Sequence, residues 1–86
     1  MKLSIEHLPV FQKQLEHVNN QIHASHISHG IATIAYQTAN NYDRRYYEAE
    51  QARCVKRIAH FQPEKEALEA VIAHLREQDE NDRLSL

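Results

Sequence analysis

Apolar residues recur along the first quarter of the chain at helical intervals: Leu8, Phe11, Leu15, Val18 and Ile22 are spaced 3, 4, 3 and 4. That spacing puts all five on one stripe of a helix, and Pro9 fits only in its first turn, where the missing N–H loses no partner. The pattern predicts a first helix over 6–24. Ile27 then falls five positions after Ile22 and out of phase, while Ser25, Ser28 and Gly30 supply capping and turn chemistry. A break is expected near 24–30. From there to Gln62-Pro63 no glycine follows Gly30 and no proline intervenes, and alanines at 32, 35, 39, 49, 52 and 59 favour helix, which predicts a second helix over 28–61. The pattern leaves open whether it runs unbroken through Asn40-Asn41. Pro63 suits the first turn of a third helix over 63–79, with Glu64 and Glu66 at its positive end and Leu68, Val71, Ile72 and Leu75 on one face. The expected fold is all-α: three helices, the central one long, in an elongated hairpin or bundle. Residues 1–79 form one helical domain in this reading, and the charged, patternless 80–86 a frayed tail.

The middle helix changes its apolar side. At about 100° per residue, Ile27, Ile31, Ile34, Ala35, Thr38 and Tyr42 fall on one face, and Tyr47, Cys54, Ile58 and Phe61 nearly opposite. The sequence reading assigns each half a different cover, the first helix and then the third. A 30-residue helix is about 45 Å long, whereas a compact chain of this size is only about 30 Å across. One chain cannot enclose such a rod, so the core is expected to be completed by oligomerisation, as a homodimer or against another protein. From Val18 to Tyr42 there are 25 residues without Asp, Glu, Lys or Arg. Depletion of charge marks an interface core, although Asn, Gln and His also serve on a wet helix face.

Composition narrows the classes. Of 86 residues one is glycine, so no Gly-rich phosphate loop or dinucleotide fingerprint can be written. A formal net charge of -2 supplies no global field toward nucleic acid or an anionic membrane. The charge-free stretch is too polar to span a bilayer. Cys54 is the only cysteine, which excludes an intramolecular disulfide and suits a reducing compartment. Glu6 precedes any apolar run, no signal peptide is read, and the cytoplasm is the expected location.

Three groups of side chains are candidates for chemistry. His23, His26 and His29, spaced by three, have ligand atoms for a transition metal, but such residues fan around a helix and no His-Glu-x-x-His occurs, so neither metal nor cofactor is expected. Ile27, Ile31, Ile34, Tyr36, Tyr42, Arg45 and Tyr46 form the expected partner-binding set, because tyrosine and arginine dominate binding hot spots. Arg45, Arg53, Lys56, Arg57 and His60 give the middle helix a basic face suited to phosphates, although Arg44 can pair with Glu48 and Arg53 with Glu50. No nucleophile, base or carboxylate pair shares a face, and Cys54 falls on an apolar one, so catalysis is not expected. The functional expectation is a non-enzymatic interaction module (an adaptor, inhibitor or assembly factor) that self-associates or docks on a partner protein. The alternative is a nucleic-acid-binding regulator that uses the basic face as a dimer.

Overall fold

The computed structural model describes residues 3–85. After a 3-10 turn at Ile5–His7, two helices follow: α1, Leu8–Thr38, and α2, Asn41–Leu84. They fold back on one another as a hairpin with extents of 68 × 21 × 14 Å. Among the described residues the fold is all-helical and elongated as expected, with two α-helices rather than three. The length of α2, 44 residues or about 66 Å at 1.5 Å per residue, sets the long dimension. The radius of gyration is 19.3 Å, against about 12 Å for a compact chain of this length.

The break expected near 24–30 does not exist, because the core stripe of α1 never loses phase. Leu8, Phe11, Leu15, Val18, Ile22, Ser25, His29, Ala32 and Tyr36 continue the alternation of three and four, and every one is buried or half-buried. The continuation is disguised by polar and small residues. Ser25, almost fully buried, turns its hydroxyl back to donate to the Gln21 carbonyl at 2.9 Å rather than capping a helix end. Gly30 stays helical at a cost of about 1 kcal/mol relative to alanine, with nothing within 4 Å of where a Cβ would stand. Gly30→Ala is therefore expected to raise stability by about 0.5–1 kcal/mol, seen as a thermal midpoint several degrees higher. A lower midpoint would mean that something outside the hairpin needs the space.

The chain turns instead at Ala39-Asn40, inside the stretch expected to be one helix over 28–61. Asn40 has extended backbone (φ −74°, ψ 173°), and its side-chain oxygen accepts the Asp43 N–H at 2.9 Å. This N-cap starts α2 without glycine or proline. Pro63, expected to open a third helix, lies inside α2. Proline in a helix interior forfeits a hydrogen bond and costs about 3 kcal/mol. Here it sits on an exposed position while the stripe Tyr47, Gln51, Cys54, Ile58, Phe61, Lys65, Leu68, Ile72, Leu75 and Asp79 runs past it in unbroken steps of four and three, each residue at least half-buried. Packing on both sides of the proline carries the helix through. Of residues 80–86, read from sequence as a frayed tail, 80–84 are helical at the end of α2, and residue 86 lies outside the described residues.

The two stripes have the seven-residue repeat of a two-stranded coiled coil. Their antiparallel register is fixed near the turn by Gln51, whose Nε2 donates to Thr33 Oγ1 at 3.0 Å. At the open end, Leu3, Ser4 and Ile5 share a cavity with Leu75, Gln78, Asp79 and Asp82. Between these points Gln14 Nε2 donates to Glu64 Oε1 at 3.3 Å, one residue past Pro63. The core proper is thin: Val18, Ile22, Ala32, Cys54, Ile72 and Leu75 are the buried hydrophobic residues. Cys54 is fully enclosed, as its apolar position led us to expect.

Candidate interaction surface

Ile27, Ile31 and Ile34 were expected beneath a covering first helix. They belong to α1 itself, about half a turn from its core stripe, and they face outward: 50%, 64% and 68% of their surface is exposed. Two positions beyond a core residue is about 200° around a helix, so Ser25, His29 and Ala32 point into the seam while Ile27, Ile31 and Ile34 point away from it. No charged residue lies within the stretch that carries them.

Across the flank of the hairpin, Tyr46 meets this isoleucine face. Ile31 and Tyr46 line one shallow cleft of about 220 Å³ together with Ser28, Ala32, Tyr47 and Glu50. Tyr46 is 61% exposed and Tyr42 85%. The Tyr46 ring stands edge-on to Tyr47, with centroids 5.3 Å apart, and half-buried Tyr47 holds it in place. Tyr42, Arg45 and Tyr46 line a second open depression with Asp43. The structure thus gathers Ile31 with Tyr46, and Tyr42 and Arg45 with Tyr46, beside the Ile27 and Ile34 stripe.

Tyr36 does not join them. It continues the core stripe of α1, half-buried, with the Arg44 guanidinium carbon 5.3 Å from its ring centroid. Arg44 was expected to pair with Glu48, and among the described residues no such ion pair is present. A cationic guanidinium over a tyrosine ring is a favourable contact in its own right, and it staples the turn end of the hairpin. Sequence reasoning missed this pair because the two residues lie on different helices, as it missed Ser28, Ala32, Tyr47 and Glu50 in the cleft.

The residues of the expected basic face all lie on α2. Arg45, Arg53, Lys56, Arg57 and His60 are all exposed. Arg53 pairs with Glu50, its Nε donating to Oε2 at 3.0 Å, and this hydrogen bond holds the Glu50 carboxyl below its ordinary range and raises Arg53. Among the described residues Arg45 and Lys56 form no ion pair. His23 and His26 are exposed and His29 is half-buried in the seam. Among the described residues no three His, Cys, Asp or Glu side chains are grouped to hold a metal ion, and no helix is long and apolar enough to cross a membrane.

Comparison of the chain with protein-family models, with characterised proteins and with solved structures returned no match.

Proposed function

We propose that this chain is a non-enzymatic protein–protein interaction module, a small helical adaptor, inhibitor or assembly factor that works by docking the outward face of α1. One observation carries the reading: Ile27, Ile31 and Ile34 stand in solvent opposite the core stripe of their own helix, in a segment without charge. Scattered apolar residues on a surface are ordinary, but three at spacings of four and three form a second helical seam. Tyr46, braced by Tyr47, supplies the aromatic anchor typical of a binding hot spot, and Tyr42 and Arg45 extend the surface toward the turn.

The test is capture by the tagged chain and by Ile31→Lys and Tyr46→Ala variants. Each should weaken retention of the partner at least about thirty-fold, the size of a hot-spot loss, with the helical circular dichroism signal unchanged because neither side chain belongs to the seam. Undiminished capture by both variants would place the binding surface elsewhere.

A second reading, a nucleic-acid-binding regulator, is favoured by the exposed Arg45 and Lys56, which lie on the outer side of α2 without ion-pair partners among the described residues. It requires affinity for DNA or RNA that falls steeply with salt, with a slope that decreases by about one when Lys56 becomes Ala. No binding at 50 mM salt removes this reading.

A further inference from the structure

We infer that the partner is an acidic amphipathic helix, seated in the cleft between Ile31 of α1 and Tyr46 of α2 with its carboxylates against Arg45 and Arg57. This rests on the docking reading above and adds the chemistry of the partner.

Charge is divided along the hairpin. In the half next to the turn, α1 carries none from Val18 to Thr38, and α2 from Asn41 to Phe61 carries Arg44, Arg45, Arg53, Lys56 and Arg57 against Asp43, Glu48 and Glu50. The open half has the opposite sign: among its described residues, nine Asp or Glu stand against four Lys or Arg. The apolar docking face is therefore mounted on the basic half of a chain whose net charge is -2. A partner that covers it gains from acidic groups and is opposed by basic ones.

The flank that carries the cleft is more one-sided than that half as a whole. Positions on one flank of a coiled-coil seam recur every seven residues. On α1 these are Gln14, Gln21, Ser28 and Ala35, all uncharged, and on α2 they are Glu50, Arg57 and Glu64. Ser28 and Glu50 line the cleft, and Gln14 bonds Glu64, which sets Arg57 opposite Gln21 between those two contacts. Glu48 directly follows the seam residue Tyr47 and so falls on the other flank, while Asp43 lies beside Arg45 in the depression at the tip. Glu50 is held by its hydrogen bond from Arg53, and Arg57 adds to the attraction. Arg45 and Arg57 are exposed and form no ion pair among the described residues. A free cation thus stands toward each end of an apolar cleft whose own carboxylate is already matched.

Shape selects a helix over a nucleic acid strand. Arg45 and Arg57 are twelve residues apart, about 18 Å along α2 or three to four turns of a partner helix. Ile31 and Tyr46 belong to different helices of the hairpin, so a third helix laid between them touches both, with Ile27 and Ile34 continuing its apolar bed. Helix-in-groove docking needs an apolar stripe of this kind with charges at its rim. A phosphate backbone needs cations along its whole track, and the α1 wall of the cleft supplies none.

The probe is a displayed library of random peptides of about 15 residues, four turns of helix, selected on the immobilised full chain. Selected peptides should combine apolar residues at helical spacing with net negative charge. Remade synthetically, they should lose about ten-fold or more in affinity on Ile31→Gln and on Tyr46→Ala, with the helicity of the chain retained. Arg45→Glu together with Arg57→Glu should weaken them roughly ten-fold at 50 mM salt. That loss should shrink at 500 mM, where exposed charges are screened, whereas the Ile31 and Tyr46 losses persist. Neutral or basic peptides that need Ile31 and Tyr46 overturn the acidic partner and leave the docking reading standing. Binders indifferent to both residues overturn both readings. A selection without binders overturns the helical partner, and capture of a partner as described above then decides the docking reading alone. Self-association abolished by Ile31→Gln, or RNA that competes with the peptides, assigns the cleft to another occupant and overturns the proposal.

Discussion

Replacing Leu75 with alanine is expected to cost about 3 kcal/mol, within the 2–5 kcal/mol range for emptying a buried leucine site. Leu75 is the largest of the side chains that are almost completely enclosed, and it shares the cavity at the open end of the hairpin with Leu3, Ser4 and Ile5. The effect is large in proportion because the core is small. Beyond Leu75 the interior holds Val18, Ile22, Ala32, Cys54 and Ile72, and a domain of this length has a total stability of about 4–13 kcal/mol. With a urea slope of about 1–3 kcal/mol per molar, the unfolding midpoint should fall by roughly 1–3 M, and the N-terminal turn at Ile5–His7 should lose its packing with it. A shift below about 0.5 M would mean that Leu75 does not anchor the seam.

The second large effect is expected from His26→Pro. His26 is exposed, so the substitution removes little packing and acts on the backbone. Inside α1 it deletes the N–H that bonds to the Ile22 carbonyl and drives the ring against that carbonyl, at a cost of about 3 kcal/mol or more. Were residues 24–30 a connection between helices, the same proline would be nearly silent. Asn41→Pro is the matched control: it occupies the first position of α2, where the N–H has no partner within the helix, after a residue already extended at ψ 173°. Chemical denaturation should therefore separate the two prolines by several kcal/mol. Equal behaviour would contradict a turn at Ala39-Asn40.

Much of this fold is legible in residue spacing, and the errors have a common origin. Leu8 to Ile22, and Leu68, Ile72 and Leu75, are read correctly because their seam positions are aliphatic. Between them the seam passes through Ser25, His29, Gln51 and Lys65, none of which scores as apolar, while conspicuous isoleucines stand two positions away. A search for large hydrophobics follows the isoleucines and infers a change of phase where there is none. Gly30 and Pro63 mislead for the same reason: intrinsic propensity is a weak local term that packing on both sides overrides. The reverse holds at Asn40, where a single side-chain cap ends one helix and begins another with no strong breaker in the sequence. Among the expected site residues, Ile27, Ile31 and Ile34 are grouped on one charge-free face by spacing, but their exposure is not legible, because it depends on the core stripe of α1 running two positions away. Nor is the separation of Tyr36 from Tyr42 and Tyr46, since it depends on which helix each belongs to.

The uneven composition of the seam gives the hairpin a firm end and a loose one. Valine, isoleucine and leucine close it far from the turn, whereas serine, histidine, alanine and glutamine close it near the turn, where the grip comes from Thr33, Gln51 and the stacked Arg44. The isoleucine ridge is mounted on the loose end. A partner that covered the ridge would add its binding free energy to the closed form of the tip, as if the jaws of tweezers were stiffened from outside.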